Sequence, residues 1–296
     1  MLYWALETFG AEADVVLSVV DEDGTPVPDA KVTVSFTSCA EGNPASSVSG
    51  KTDASGRFPA SGWSTWSFGW VVEKEGHYRA SGTRELRPFA HSGACPLGLW
   101  SAEPINQTVE LVKAIRPHDM DGRLLFVSVP GMDEEFGFDL VVCDWVPPWG
   151  KGDRADMTFF LEDGSSSAAS NSWRNTMRVG FPGDGNGVIL TNRNNCSMLA
   201  SPREAPEHGY SPSFESYTQI VAGRDRGSRL VTSECLEVFR IRTSSNPVTG
   251  ADESLYGKLS GDFYWGGPKR TVYFHRWINA VPGDRNLEDD GRIKYR

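Results

Sequence analysis

Glycine and proline occur throughout the chain, and they limit its possible folds more than any other feature. The 296 residues include 31 Gly and 18 Pro, so few uninterrupted stretches are long enough for helices. Between these breaks, apolar and polar residues alternate in short runs rich in Val, Thr and aromatic residues. The pattern predicts an all-β protein made of many short strands joined by turns.

The length of the chain predicts two domains, because one hydrophobic core rarely serves so many residues. In the first part, Val15, Leu17 and Val19 alternate with smaller or polar residues, and the turn-rich stretch "DEDGTPVPDA" follows. We therefore predict a first β-sandwich over residues 1–113.

About eight further alternating runs follow, and they predict a larger antiparallel, jelly-roll-like β-sandwich over residues 114–296 with an extended C-terminal tail. Within it, "FPGDGNGVIL" and "LYGKLSGDFYW" are typical of hairpins.

The first part resembles the carboxypeptidase regulatory-like domains, which are small transthyretin-like, Ig-like β-sandwiches. The resemblance lies in a spaced set of turn and core residues: Asp21, Gly24, Pro26, Val27, Ala30, Val32 and Val34, followed by Thr52, Asp53, Gly56 and Phe58. The chain departs from the family pattern in "GHY", where Gly-Tyr is usual, and in a long insertion over residues 84–106. The resemblance implies a non-catalytic spacer or interaction module.

Four stretches of the second part resemble uncharacterised bacterial surface proteins that carry the same first domain: "DWVPPWGKG", "REAPEHGY", "YGKLSGDFYW" and "INAVPGDRNLE". This resemblance implies a bacterial surface protein and no particular activity. The small-x-small sequence "AEA" at residues 11–13 fits either a trimmed secretion signal or an ordinary N-terminal segment. We expect the protein to be secreted or displayed on the cell surface.

Charge and hydropathy argue against nucleic-acid binding and against a membrane-spanning segment. The net charge of −10 and the pI near 5.1 argue against nucleic acid, because nucleic-acid affinity depends on Lys and Arg neutralising phosphates. No apolar run approaches the roughly 20 residues that a transmembrane helix needs. We expect protein partners or self-association, with a polysaccharide as a further possibility.

The five cysteines show no CxxC motif and no Cys/His cluster at metal-binding spacing, so we expect no metal or other cofactor. Cys39 and Cys95 are the two cysteines of the first part, and they form either a disulfide, which is our prediction, or two free buried thiols. The other three lie in the second part, and one cysteine must stay unpaired within the chain.

The stretch "CDWVPPWGKGDRAD", residues 143–156, is the most concentrated group of aromatic and charged residues. It predicts a ligand-binding platform at the rim of the sandwich, in which two indole rings face a sugar or a partner side chain and polar groups surround them. The predicted ligand-binding residues are Trp145, Trp149, Lys151, Asp153 and Arg154. The alternative is that the tryptophans cap the sandwich while Asp153 or Asp156 binds loop amides.

Catalytic motifs are absent from the sequence, which contains no GxSxG, HExxH, GxGxxG or P-loop, and its five histidines are isolated. We therefore predict no catalytic residues and favour a non-catalytic structural or adhesive protein that acts through protein contacts or self-assembly. The alternatives are a carbohydrate-binding protein that uses the Trp-rich loops, and a hydrolase whose site is assembled from scattered residues.

Overall fold

The protein is all-β, as predicted. The computed structural model describes residues 10–37, 46–86, 103–164, 173–192, 197–199, 201–220, 227–229, 235–251, 253–260, 265–266 and 271–289. Within these ranges the chain forms 19 strands and no helix. The predicted disulfide between Cys39 and Cys95 lies outside the described residues.

The chain divides into two compact units. The first comprises Met1–Ile115 together with Asn194–Ala200, and the second comprises Arg116–Arg193 and Ser201–Arg296. Because the segment Asn194–Ala200 belongs to the first unit, the division is not a single cut along the sequence. Within the first unit, this segment contributes Leu199, which is buried with Tyr78 and Val112.

In its described residues, the first unit contains seven strands in two sheets. They are β1 (Ala11–Asp21), β2 (Lys31–Phe36), β3 (Ser46–Lys51), β4 (Arg57–Ser64), β5 (Ser67–Glu73), β6 (Ala80–Glu85) and β7 (Ile105–Leu111). One sheet has the order β4-β1-β7 and the other has the order β3-β2-β5-β6. All pairs are antiparallel except β1 and β7, which run parallel.

Alternate residues of both sheets meet in one core, as period-2 patterning requires. Leu17 on β1, Val34 on β2 and Phe68 on β5 are all fully buried in it. The first unit is therefore a β-sandwich.

The turn motif in the first unit stabilises two loops by side-chain hydrogen bonds. The carboxylate of Asp53 accepts hydrogen bonds from the amides of Ser55 and Arg57 at 2.9 Å. The buried hydroxyl of Thr52 donates to the carbonyl of Val27 at 2.7 Å and accepts from the amide of Ala30 at 2.9 Å. Asp53 and Thr52 therefore fix the conformation of these loops, because each forms hydrogen bonds with backbone groups that the turns leave unpaired.

The second unit contains twelve strands in its described residues, more than the eight or so predicted. They are β8 (Asp121–Ser128), β9 (Glu135–Asp139), β10 (Asp144–Trp145), β11 (Met157–Gly164), β12 (Trp173–Gly180), β13 (Gly187–Asn192), β14 (Ser213–Ile220), β15 (Gly227–Arg229), β16 (Cys235–Ile241), β17 (Leu255–Ser260), β18 (Trp265–Gly266) and β19 (Thr271–Asn279). Three of them, β10, β15 and β18, have only two or three residues. Such short pairings leave no alternating pattern for sequence analysis to detect.

These strands form two antiparallel sheets. The first has the order β10-β9-β11-β12-β14-β15, and the second has the order β13-β16-β17-β19-β18, with β8 also paired to β19. Aromatic rings from both sheets fill the space between them: Phe274 on β19 lies 6.2 Å from Phe138 on β9 and 6.3 Å from Phe159 on β11, between ring centroids. The second unit is therefore also a β-sandwich.

Among the described residues, the flanking strands of neither predicted hairpin of the second unit pair with each other. The turn around Asp184 connects β12 in one sheet with β13 in the other, and the side chain of Asn186 holds it by accepting from the amide of Thr243 at 2.9 Å. In "LYGKLSGDFYW", β17 and β18 do not pair with each other, because both pair with β19. Gly, Asn and Asp permit a tight turn without determining which strand lies beside which.

Replacement of Gly56 by Ala should destabilise the first unit. Gly56 has φ +72°, and a Cβ there would lie 2.5 Å from the carbonyl oxygen of Val19. We expect a loss of about 1 to 3 kcal/mol in the free energy of unfolding, measured by denaturant titration. Gly24→Ala is the matched control, since Gly24 has φ +77° with no atom within 4 Å of the added Cβ. Equal losses in the two variants would show that the contact with Val19 contributes nothing.

Candidate functional site

The loop from Asp139 to Asp156 contains every predicted ligand-binding residue, and Asp139 organises it. This side chain is buried at the end of β9. One carboxylate oxygen accepts from the amides of Val141 and Val142 at 2.9 and 2.8 Å, and the other accepts from the amides of Asp153 and Arg154 at 3.0 and 3.3 Å. A single carboxylate thereby links the two ends of the loop.

Asp144 holds the centre of the same loop. Its two carboxylate oxygens accept from the amides of Trp145 and Lys151 at 2.8 and 3.0 Å. The loop backbone passes so close to these groups that side chains are excluded: a Cβ on Gly150 would lie 2.4 Å from the carbonyl oxygen of Trp145, and one on Gly152 would lie 2.8 Å from that of Asp144. The two glycines are needed for this close approach.

Arg242 connects the loop to the opposite sheet. It follows β16 with φ 55° and donates through Nη2 to Asp139 at 2.9 Å and to Asp156 at 2.8 Å. Its Nε donates to the second oxygen of Asp156 at 2.9 Å. The guanidinium therefore makes a bidentate contact with Asp156 and a single contact with Asp139, a geometry that Lys could not reproduce.

The two carboxylates respond differently to this environment. Burial acts to raise the pKa of Asp139, but hydrogen bonds from the amides around it, together with Arg242, hold the pKa below its usual value. Burial raises the pKa of Asp156, and the hydrogen bond and charge of Arg242 only partly offset that effect. In turn, the hydrogen bond to Asp156 raises the pKa of Arg242.

Of the two tryptophans in the predicted site, one is buried and the other is exposed. Trp145 is 6% exposed, its Nε1 donates to the carbonyl of Ser128 at 3.1 Å, and its ring contacts Phe136, Phe138 and Phe159 edge-on. Its faces are therefore covered by protein. Trp149 is 54% exposed, and its ring contacts Phe136 edge-on at 5.8 Å.

The polar members of the predicted site, Lys151, Asp153 and Arg154, lie exposed beside Trp149 on the same loop. Asp153 takes part in the loop through its amide and not through its carboxylate. The side chain of Arg154 lies 3.9 Å from Asp156, which is a weak contact at an exposed position. Ligand binding by this loop stays a prediction.

Sequence analysis missed the residues that hold the loop, namely Asp139, Asp144 and Arg242. Asp144 carried a usable signal, because it precedes a Pro- and Gly-rich turn whose amides need acceptors. Arg242 carried none, since it lies 103 residues from Asp139 in the chain.

A second surface feature lies on β8 and β19. Four rings form an aromatic row on the outer face of these strands: Phe126, Tyr273, His275 and Trp277. Phe126 pairs in register with Tyr273, and their ring centroids lie 4.9 Å apart. Phe126 is 69% exposed. The row therefore presents apolar surface beside the backbone of β8.

Neither a metal site nor a membrane helix is found in the described ranges. No group of three or more His, Cys, Asp or Glu residues among them could hold a metal ion. The same part of the chain contains no helix with the length and apolar character that crossing a bilayer requires.

No protein-family model and no curated protein matches the sequence. Among solved structures, the chain is similar to 3-chlorocatechol 1,2-dioxygenase from Rhodococcus opacus 1CP, with a TM-score of 0.25 and 16% identity over 36% of this chain and 62% of the dioxygenase. It is also similar to the major pilin subunit BcpA of Bacillus cereus, with a TM-score of 0.25 and 10% identity over 91% of this chain and 96% of the pilin. The shaft pilin SpaA of Lactobacillus rhamnosus GG has a TM-score of 0.23 and 10% identity over 94% of this chain and 96% of the pilin. Likenesses this low carry no conclusion about function.

Replacement of Arg242 by Met should strongly destabilise the second unit. The change leaves the buried carboxylates of Asp139 and Asp156 without their guanidinium partner, and we expect a loss of about 3 to 5 kcal/mol in the free energy of unfolding. Chemical denaturation followed by tryptophan fluorescence measures it. Arg154→Met is the control, with an expected loss below about 1 kcal/mol because that side chain is exposed. A loss for Arg242→Met as small as the control would contradict the role assigned to Arg242.

Proposed function

We propose that this chain is a non-catalytic structural or adhesive protein of the bacterial cell surface that acts through contacts with other protein chains, including copies of itself. The observation that supports this proposal is the outer edge of β8, which no second strand pairs with in the described part of the chain. Two rigid sandwiches provide the faces and edges that such contacts need, and an edge strand is the part of a β-sandwich best suited to bind another chain.

Strand β8 pairs with β19 along all eight of its residues, and no second strand pairs with it in the described part of the chain. Proteins usually protect such an edge with Lys, Pro or a bulge, but the sequence "DGRLLFVS" contains no Lys and no Pro. Its charged residues, Asp121 and Arg123, form an ion pair with each other at 3.3 Å. Strand β8 therefore lacks two of the usual barriers to strand addition, Lys and Pro.

The ends of β8 are occupied by contacts from the same unit, which limits where a partner strand could pair. The carbonyl of Asp121 accepts from Arg276, and the carbonyl of Ser128 accepts from Trp145. Between them, the backbone of residues 122–127 makes no hydrogen bond outside the β19 ladder among the residues that the structure describes. A strand added here would place side chains beside Phe126 on the outer face.

Replacement of Phe126 by Lys should weaken self-association. The purified chain is expected to form dimers or larger oligomers whose population rises with concentration, measured by analytical ultracentrifugation or light scattering. A charge at the centre of the β8 edge should weaken association at least tenfold, about 1.4 kcal/mol.

Val248→Lys is the matched control, because Val248 is also an exposed apolar residue of the second unit, 90% exposed, but lies outside the strands. This variant should associate like the unmodified chain. A chain that stays monomeric at high concentration, or an equal effect of the two lysines, would contradict assembly through β8.

Carbohydrate binding is a second candidate function, and the exposure of Trp149 supports it. Sugar rings stack on exposed indole faces, and Lys151, Asp153 and Arg154 could supply hydrogen bonds to sugar hydroxyls. The loop that holds these residues is rigidly supported by Asp139 and Asp144, so little ordering entropy would be lost on binding. Trp145 would act here by positioning the loop and not by touching the sugar.

Replacement of Trp149 by Ala tests this second function. If the loop binds carbohydrate, the chain should bind at least one oligosaccharide on a glycan array, and Trp149→Ala should lower that affinity at least tenfold by removing the stacking surface. Trp66→Ala is the matched control, since Trp66 is equally exposed at 54% but lies in the first unit. No glycan binding, or equal losses in both variants, would rule out a carbohydrate site at Trp149.

A further inference from the structure

The most deeply buried lysine among the described residues of the second unit is Lys258, in the middle of β17. Its side chain is 3% exposed. It lies on the face of the sheet opposite the core, beside its register partner Trp277, whose ring centroid is 5.5 Å from the Lys258 Nζ. The segment Ala280–Asp289, here called the C-terminal strap, covers it.

The C-terminal strap is fixed over this lysine by its own hydrogen bonds. The side-chain nitrogen of Asn279 donates to the carbonyls of Asp284 and Asn286, both at 3.0 Å, and so folds the chain back after β19. The amide of Leu287 donates to the carbonyl of Arg203 at 2.7 Å. The strap therefore delivers Asp289 to a defined position above β17.

At that position, Nζ of Lys258 contacts a carboxylate oxygen of Asp289. It also lies 3.2 Å from the carbonyl oxygen of Leu287 and 3.3 Å from the hydroxyl of Ser201. Asp289 is itself only 9% exposed. An amine and a carboxyl group are thus held together in a site from which the surrounding protein excludes water.

Burial of this kind favours the neutral form of the amine. Burial lowers the pKa of Lys258, against the opposing charges of Asp289 and Glu288. A neutral amine is nucleophilic, and an ion pair in a dry site keeps a desolvation cost that an amide would not have. Fixed proximity alone can raise the effective concentration of one group at the other to about 10⁵ M or more.

We propose that Lys258 and Asp289 form an intramolecular amide bond that covalently joins the C-terminal strap to β17. The bond would link residues 31 positions apart and prevent the strap from leaving the sheet. It is a modification of the mature protein and does not depend on the partner-binding function proposed above.

The reaction balances without any further reactant. The ammonium of Lys258 first transfers a proton to the carboxylate of Asp289, which gives a neutral amine and a carboxylic acid. The lone pair of Nζ then attacks Cγ of Asp289, an N–C bond forms, and the C–OH bond breaks. The departing hydroxyl takes the second proton from the nitrogen, for which the Ser201 hydroxyl provides a relay, and it leaves as water.

Mass spectrometry of the full-length chain tests the proposal. The intact protein should weigh one water molecule less than its sequence requires. Trypsin should fail to cut after Lys258 and should release a branched peptide that joins residues 243–269 to residues 286–292. Lys258→Met and Asp289→Ala should each restore the full mass and abolish the branched peptide.

Two controls make the result decisive. Asp290 and Gly291 could lose water by forming an imide, which hydroxylamine cleaves, whereas a side-chain amide resists hydroxylamine. The exposed pair of Lys113 and Asp21, with a 3.5 Å contact and 51% exposure of the lysine, should give no branched peptide in the same digest. Separate, unbranched peptides from the unmodified chain would overturn the proposal, and this result requires no variant to fold.

Discussion

The contact of Arg242 with Asp139 and Asp156 is the interaction on which the conformation of the loop from Asp139 to Asp156 depends. Asp139 and Asp156 flank the loop on the first sheet, and Arg242 follows β16 on the second. One guanidinium therefore joins the two sheets at the position where the loop begins and ends. Because both carboxylates are buried, their charges require this partner, and the loop geometry that exposes Trp149 follows from it.

The strands could be predicted because burial in a sandwich repeats every second residue. Leu17 and Phe68 belong to alternating runs, and both are buried in the first unit's core. The connections could not be predicted in the same way. The turn at Asp184 contains the residues of a hairpin, yet it joins two sheets, because local turn chemistry sets the bend and the packing of distant strands sets the partner.

The sequence indicates the loop of the candidate site but not which of its side chains are buried and which are exposed. Trp145 and Trp149 are four positions apart and chemically identical, so only tertiary packing decides that one ring fills the core and the other is exposed. The prolines and glycines between and after them indicated a tight reversal, and Gly150 and Gly152 do permit the backbone to approach Asp144 closely. The acceptor that joins both loop ends, Asp139, lies four residues before the stretch 143–156, and no sequence pattern indicates its role.

Saturated hydrogen bonding distinguishes a structural carboxylate from one available to a ligand. Asp139 receives four backbone amides and one guanidinium group, which fills the roughly four lone-pair directions of a carboxylate. Asp156 receives two nitrogens of Arg242 and the amide of Leu140. Although the raised pKa of Asp156 resembles that of a general acid, its oxygens are directed at protein donors. These two carboxylates therefore hold the loop, and any ligand recognition falls to the side chains that the loop exposes.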